Sequence, residues 1–584
     1  MKYVYLVFLI SFFVPVHSVA LKLSVNIDKT DIKVYDQSLK HLLLSAKKSE
    51  FVKRDDQNPL DIQTDFFPRD DGFDVVVSIK NETLKYQNMV DFYIPGIYLE
   101  NKTSLNILST NTHLYMQKRD IKDIRHPNPY FSVGSLIRKD QNGNFVENEC
   151  YYGADTFTPY APVIVASDDH IAVGSALMYP FLAYKDDRKD GSGKFHIVKN
   201  KFYPKMRIYK DQDSWRYAYI FPKSLPLKSM IAPGNKYTFI IPVRFKKSKH
   251  YIQTLSPYKK FLHTLYGEGK DLKKDLSPIL TINFAFYGSV TDQNKRGWAW
   301  GLEKIDKDMQ SYLPLYEVST ALSEIMKYKG YKRVMFVAFS GVYDTRVCKK
   351  MDYQLPFQIL SNLEYGMQKD IKKSLNIFRQ KGQKVELWWG IAGSMPLDEN
   401  GELLDPSSWK ACDNRPFLPE HENEKAYALR ELNLAQKYHI DTLILDAYTR
   451  MEDKRAFYWL KYMKKTTPKI NFALEMELDI MHTQAAITLQ PENELFDGID
   501  LKAAKITKAP ILAEYLNPNS EIRVWLQHQA MGKEQRKYVK DLIDMGYTPM
   551  VIMPDSPLLN HDENNVTKRI LAHPEVFMDV KYKY

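Results

Sequence analysis

The chain has little cysteine and no long apolar run after its first residues. Three cysteines, Cys150, Cys348 and Cys412, lie far apart in 584 residues and lack the spacing of a metal site. An odd, sparse set argues against a disulfide framework, although it leaves room for one bridge. Beyond residue 20 no stretch stays apolar for about 18 residues, which excludes an integral membrane span in the mature chain. Stability must therefore come from large apolar cores.

The first twenty residues differ from the rest. Lys2 gives a short positive start, residues 4–16 are apolar, and Ser18 and Ala20 fit small-residue cleavage. The sequence predicts a signal peptide over residues 1–20 and a secreted or periplasmic protein.

Charge gives no sign of a nucleic-acid partner. The net charge is +11, and lysine-rich pieces such as 246–249 and 464–465 are scattered among acidic ones, which favours solvated faces over a nucleic-acid patch. Aromatics are abundant, with 39 Tyr and 8 Trp. Such rings stack on apolar sugar faces, but tyrosine-rich sandwiches contain many of them in any case.

Residues 21–260 have the pattern of strands. Short β-rich runs at 72–79, 163–165, 171–178, 218–221 and 237–243 are separated by Asp, Gly, Ser, Pro and Asn turns. We expect a β-sandwich here, with a hairpin over residues 163–184. A linker helix is expected over 261–277.

Residues 278–584 alternate short apolar runs with helical patterns. The runs are 280–287, 334–340, 385–392, 442–446, 470–475, 498–501, 522–526 and 550–553. Eight strands over roughly 300 residues predict a (β/α)8 TIM barrel. The competing open doubly wound sheet lacks its glycine fingerprint, since Gly288 stands alone after the first run.

Acidic residues close two successive runs of this predicted barrel. Asp446 ends the fourth, and Glu475 and Glu477 end the fifth. A carboxylate at the end of a buried strand is costly unless something uses it. Residues 475 and 477 share one strand face, so the sequence does not choose between them.

Further polar and aromatic residues follow the predicted strands, where barrel enzymes carry their sites. The loop 393–420 is longer than such a connection needs and is expected to border a cleft. The predicted substrate-binding residues at these ends and in this loop are Tyr287, Trp389, Trp409, Arg415, Tyr448, Lys502, Gln527, His528 and Asp555.

Two carboxylates suit the cleavage of a glycosidic bond. One protonates the leaving oxygen, and the other stabilises the oxocarbenium-like centre or attacks it. At about 5 to 5.5 Å apart they give retention. Neighbouring strands lie about 4.8 Å apart, so their end residues can reach that separation.

With a sandwich before a barrel, Asp446 in LILDAY and Glu475 in FALEME, the chain resembles retaining α-glycosidases, especially the endo-α-N-acetylgalactosaminidase type. The resemblance implies Asp446 as nucleophile, Glu475 or Glu477 as acid/base, an oligosaccharide or glycoconjugate substrate, and no cofactor. The chain is short for that type and has no obvious calcium or carbohydrate-binding module, which leaves the substrate open.

Two other functions stay open. The first is a non-catalytic glycan-binding protein on the same barrel, because fold alone does not define activity. The second is a metal-dependent hydrolase using His482 and His528, against which stands the lack of HExxH or a comparable pattern. We predict no metal.

Overall fold

The structure is a computed structural model that describes most of the sheets and barrel strands. The described residues are 21–38, 40–53, 59–99, 104–108, 116–120, 138–139, 145–146, 160–182, 202, 204–223, 228–283, 319–320, 322–324, 326–327, 330–337, 371–389, 419–420, 422–445, 448, 453–475, 478–489, 510–526 and 533–552.

The first part of the chain consists of antiparallel sheets. In chain order its strands are β1 (Leu23–Ile27), β2 (Asp31–Asp36), β3 (His41–Lys47), β4 (Val52–Lys53), β5 (Asp61–Arg69), β6 (Gly72–Lys80), β7 (Gln87–Asn88), β8 (Asp91–Ile97), β9 (Ser104–Leu108), β10 (Met116–Asp120), β11 (Arg138–Lys139), β12 (Phe145–Val146), β13 (Val163–Ser167), β14 (Ile171–Ala176), β15 (Lys205–Asp211), β16 (Ser214–Ile220), β17 (Met230–Ile231) and β18 (Lys236–Lys247).

Two sheets among these strands form a sandwich. Within the described residues one sheet has the order β1-β2-β3-β8-β16-β15, with β4 beside β8, and the other has the order β10-β9-β13-β14-β18-β6-β5. The hydroxyl of Tyr217, in the first sheet, donates to the carbonyl of Val173 in the second at 2.8 Å. The rings of Phe92 and Phe239 meet between the sheets, with centroids 5.2 Å apart. The apolar faces of both sheets therefore share one core.

The predicted hairpin after residue 163 is confirmed. Strands β13 and β14 pair in antiparallel register, from Val163 opposite Ala176 to Ser167 opposite Ala172. The Asp168 carboxylate accepts the backbone N–H groups of His170 and Ile171, each at 2.7 Å. This is the usual way for an aspartate to stabilise a tight turn.

A helix joins the sandwich to the second part of the chain. After a 3-10 segment (Ser248–Leu255), helix α1 spans Ser256–Tyr266. Pro257 lies in its first turn, where a missing N–H costs nothing, and Gly267 ends it with φ of 100°. The helix therefore starts and ends earlier than the predicted linker helix at 261–277. The domain boundaries themselves stay a prediction.

The second part of the chain is a closed barrel of eight parallel strands. In order they are β19 (Ile279–Asn283), β20 (Arg333–Val337), β21 (Lys384–Trp389), β22 (Thr442–Leu445), β23 (Asn471–Glu475), β24 (Ala486–Leu489), β25 (Ile522–Leu526) and β26 (Thr548–Ile552). Helices in this part are α2 (Ile371–Gln380), α3 (Glu422–Lys437), α4 (Asp453–Thr466), α5 (Asp479–His482), α6 (Ile511–Leu516) and α7 (Lys533–Asp544). The predicted sandwich followed by a (β/α)8 barrel is confirmed.

One strand assignment was wrong. The sixth barrel strand is β24, at Ala486–Leu489, and not the run at 498–501, which lies outside the described residues. Both runs are four residues long and contain two large aliphatic residues and one polar residue, so local pattern does not distinguish them. The pairing does: Ala473 lies opposite Ala486 and Ile487 opposite Ile522, which places β24 between β23 and β25.

Two apolar clusters separate the inside of the barrel from its outside. The inner cluster holds Ile279, Met335, Trp388, Ile444, Ala473, Ala486 and Met550, one residue from nearly every strand. The outer cluster is continuous from the sandwich, through α1, to the layer between barrel strands and helices. Within the described part of the chain, no helix is long and apolar enough to cross a membrane.

Candidate active site

The C-terminal ends of β22 and β23 form the centre of the candidate site. These strands are neighbours, paired in parallel with Leu445 opposite Leu474. Ile444 and Ala473 lie in the inner cluster. Glu475 is the last residue of β23, two positions after Ala473. The predicted acid Glu475 therefore lies at the barrel end where such enzymes carry out their chemistry.

Most of the predicted site falls outside the described residues. This applies to Asp446 and Glu477, to the loop 393–420 apart from its last two residues, and to Tyr287, Trp409, Arg415, Lys502, Gln527, His528 and Asp555. Their roles stay predictions.

The structure places the two tryptophans of β21 on opposite faces of the strand. Trp388 belongs to the inner cluster, whereas Trp389 is buried in the outer cluster. The indole N–H of Trp389 has no hydrogen-bond partner among the described residues. The substrate contact predicted for Trp389 does not fit this position, because successive side chains of a strand point to opposite faces. Trp388 is the tryptophan on the interior side.

Tyr448 is buried and hydrogen-bonded within the protein. Its ring is buried in the outer cluster, and its hydroxyl donates to the carbonyl of Ala456, in the first turns of α4, at 2.7 Å. This contact joins Tyr448 to the following helix. The contacts described for Tyr448 are thus with the protein itself, not with the interior of the barrel where its substrate-binding role was predicted.

A threonine that sequence reasoning missed lies beside Glu475. Thr488, in β24, is the register partner of Glu475. It is fully buried, and its hydroxyl finds no partner within the described part of the chain. A buried hydroxyl without a partner carries a cost of about 1 to 3 kcal/mol. The hydroxyl is available as a donor to a bound molecule, but nothing in the local sequence singles it out.

The opposite end of the barrel carries a buried charge network that the sequence did not reveal. Arg333 donates to Glu386 at 2.8 Å and to Glu521 at 2.9 Å, and Arg523 donates to the same two carboxylates at 2.7 and 2.8 Å. All four side chains are at most 8% exposed. Two positive and two negative groups balance, so each buried charge has a partner.

This network governs the ionisation of Glu386. Burial alone would raise the pKa of Glu386, but the Arg333 and Arg523 guanidiniums and their hydrogen bonds hold it below its ordinary value. The Glu386 carboxylate is therefore paired with the two arginines. The network lies at the strand N-terminal ends, where barrels build stability rather than chemistry, so it is not the active site.

His482, considered above as a metal ligand, is already occupied by hydrogen bonds. Its Nδ1 lies 2.5 Å from the Tyr160 hydroxyl and its Nε2 3.3 Å from the carbonyl of Glu521. Because a carbonyl only accepts, Nε2 carries the proton and Nδ1 accepts from Tyr160. Burial lowers the pKa of His482 to about 3. The described residues contain no group of three potential metal ligands.

Together these features define the class of fold: a β-sandwich followed by a (β/α)8 barrel with an acidic residue at the mouth. No protein-family model matches the chain, and no curated protein matches its sequence.

Solved structures do match. The chain is similar to the α-N-acetylgalactosaminidase NagBb from Bifidobacterium bifidum in its GalNAc complex, with a TM-score of 0.51, 10% identity, and coverage of 97% of this chain and 85% of that one. A quadruple mutant of NagBb gives a TM-score of 0.50 and 11% identity, with coverage of 96% of this chain and 92% of that one. The GH36 α-galactosidase AgaB from Geobacillus stearothermophilus gives a TM-score of 0.41 and 10% identity, with coverage of 96% of this chain and 72% of that one. At such identity the likeness to NagBb shows a shared fold.

Proposed function

We propose that this protein is a glycoside hydrolase that cleaves α-linked glycans with retention of configuration. The observation that carries the proposal is the pairing of β22 with β23, where Leu445 lies opposite Leu474 and the next residues along the chain are Asp446 and Glu475. Acidic residues thus follow at the mouth ends of two adjacent strands of a closed barrel. Adjacent strands are about 4.8 Å apart, close to the separation of about 5 to 5.5 Å that retaining enzymes use.

Each acid has a separate role in this mechanism. Asp446 attacks the anomeric carbon while Glu475 or Glu477 gives its proton to the departing oxygen. The resulting glycosyl ester on Asp446 is then opened by water, which returns a proton to the same glutamate. An uncharged glutamic acid requires a raised pKa, which an apolar wall or the neighbouring Asp446 charge supplies.

The similarity to NagBb suggests which sugar to test first. NagBb is an α-N-acetylgalactosaminidase whose structure was determined with GalNAc. We therefore propose an α-linked N-acetylgalactosaminide as the first substrate. The resemblance to the endo type stays a prediction, as does export through the signal peptide at 1–20.

The catalytic test compares substitutions on the two strands. We expect Asp446→Asn to lower kcat on an aryl α-N-acetylgalactosaminide by roughly 10⁴-fold or more without changing the melting temperature, because an amide does not form the glycosyl ester. The Gln variant of the true acid should lose most activity on poor leaving groups and little on activated ones. Glu475→Gln and Glu477→Gln thereby distinguish the two candidates, and NMR of the first-formed anomer reports retention.

Asp441→Asn is the matched control, since Asp441 directly precedes the opposite end of β22. Its carboxylate accepts the backbone N–H of Val385 at 2.8 Å, a role that the Asn oxygen also fills, so this substitution should leave kcat close to wild type. Near-wild-type turnover of Asp446→Asn would rule out Asp446 as the nucleophile. Binding of sugars without hydrolysis of any α- or β-glycoside would favour the non-catalytic glycan receptor instead.

A further inference from the structure

The outer surface of α4 carries a row of lysine and tyrosine side chains. Lys454, Tyr458, Lys461, Tyr462 and Lys465 are all exposed, and we call them the α4 stripe. Their spacings of three and four residues place them on one helix face, over a length of about 16 Å. Tyr458 and Tyr462 remain 53% and 38% exposed, among the most exposed aromatic rings of the described residues. The stripe is thus an aromatic surface bordered by positive charge.

Both tyrosine rings pack against aromatic neighbours, of which Trp459 is buried and Phe181 is partly buried. The ring of Tyr462 stacks on Trp459, with centroids 5.3 Å apart and planes 19° apart. Tyr458 packs beside Phe181, at a centroid distance of 5.8 Å. Because these contacts already restrict the rings, a ligand that touches them loses little side-chain entropy. The two rings therefore form a pre-organised surface.

The lysines of the stripe are not engaged in ion pairs with the described residues. Lys454, Lys461 and Lys465 form no ion pair within the part of the chain that the structure describes. Two acids of the described residues pair with lysines outside the stripe: Asp271 with Lys464 at 2.5 Å, and Glu422 with Lys425 at 3.6 Å. The Lys425 ammonium also lies 5.9 Å from the Tyr462 ring centroid.

We propose that the α4 stripe is a second glycan-binding surface, separate from the barrel mouth, that takes acidic oligosaccharides carrying sulfate or carboxylate groups. Tyrosine rings offer an apolar body to a sugar face and a hydroxyl to its polar edge, while the ammonium groups pair with the anionic substituents. A single row of three lysines is short for nucleic acid, where binding typically neutralises about 6 to 10 phosphates. Two partly exposed tyrosines also offer little apolar area to a membrane.

The test uses the full-length chain and a chondroitin sulfate hexasaccharide, with its desulfated and carboxyl-reduced counterpart as the neutral probe. The β-linkages of chondroitin keep this probe from being a substrate of the proposed α-glycosidase. We expect calorimetry to detect binding of the sulfated form only. The double variants Lys461→Glu/Lys465→Glu and Tyr458→Leu/Tyr462→Leu should each weaken it by about ten-fold or more. Leucine keeps apolar bulk on the helix, and circular dichroism verifies folding.

The matched control is Lys22→Glu/Lys33→Glu, which makes the same change in net charge on exposed lysines of the sandwich. This control should bind like the wild type, and all three double variants should keep wild-type turnover on the aryl glycoside. The proposal is overturned if the control loses as much affinity as the lysine pair of the stripe. It is equally overturned if the tyrosine variant binds normally, or if single-stranded DNA or anionic phospholipid vesicles compete as well as the sulfated glycan.

Discussion

His482 illustrates how one residue obtains its properties from distant partners. The ring is fully buried between the Tyr160 hydroxyl and the Glu521 carbonyl, and the Asn517 side chain donates to the same Tyr160 oxygen at 2.9 Å. Burial disfavours the imidazolium and holds the pKa of His482 at about 3. His482 is thus a neutral link between the segment at Tyr160 and the barrel.

The lowered pKa of His482 makes the stability of the fold depend on pH. The folded-state pKa of about 3 lies below the unfolded value of 6.5, so between these values the unfolded chain binds a proton that the folded chain does not. Stability contributed by His482 is complete above about pH 6.5 and is lost as the pH falls. Between pH 7 and pH 5 the loss is about 2 kcal/mol.

His482→Gln isolates this contribution, because glutamine keeps a donor and an acceptor but does not titrate. We expect the free energy of unfolding in urea to fall from pH 7 to pH 5 by about 2 kcal/mol less in the variant than in the wild type. Equal pH slopes for the two proteins would show that folding does not lower the pKa of His482.

At the scale of elements, Gly96 shows why β8 takes its path through the first sheet. The register between β16 and β8 shifts between Trp215 and Tyr217, and Gly96 lies at this irregularity with φ of +67°. A Cβ atom added at Gly96 would lie 1.8 Å from the backbone oxygen of Ser45 in β3. Only glycine allows this backbone conformation together with so close an approach of the two strands.

We therefore expect Gly96→Ala to reduce the free energy of unfolding by about 3 kcal/mol or more, from left-handed strain plus overlap with a backbone atom that does not move cheaply. Gly234→Ala is the control. It has a similar φ of +73° and no heavy atom within 4 Å of the added Cβ, so it should cost only about 1 kcal/mol. Urea titration of both variants measures the difference, and equal losses would rule out the close approach of β8 to β3.

At the scale of the whole molecule, buried contacts join the linker helix and the sandwich to the barrel. The Tyr258 hydroxyl of α1 donates to the Asp479 carboxylate of α5, and the Tyr160 carbonyl accepts the backbone N–H of Asp479 at 3.1 Å. Phe181 packs on Tyr266 of α1 and on Phe457 of α4, with centroid distances of 5.3 and 5.8 Å. Because one apolar cluster also runs through all three parts, we expect them to unfold together.

Removing one hydroxyl tests this junction. Tyr258→Phe should lower the stability of the whole chain by about 2 kcal/mol, because a buried carboxylate loses a donor. Tyr251→Phe, in the neighbouring 3-10 segment, removes a hydroxyl from a half-buried ring and should cost little. Calorimetry should show a single transition shifted down for Tyr258→Phe alone. Separate transitions in the wild type would contradict the joint unfolding of sandwich and barrel.

The sequence by itself determined the order of elements. Apolar runs with two-residue or helical periodicity are local properties, so they predicted several of the sandwich strands, seven of the eight barrel strands and the alternation of barrel strands with helices. The same reasoning placed Glu475 at a strand end, because the apolar run stops at the residue where the strand stops. Asp446 follows its strand in the same way, and its catalytic role stays a prediction.

Only the tertiary structure decided which side chains meet. Tyr160 and His482 are 322 positions apart, and Glu386 meets Arg523 from a strand on another side of the barrel. No local pattern encodes such pairs, since they depend on how the strands register when the barrel closes. Closure likewise selected Ala486–Leu489 as the sixth strand and turned Trp388 inward and Trp389 outward. The physical reason is that periodicity fixes the spacing of side chains along one strand, whereas the face that becomes the interior is fixed by the neighbouring strands.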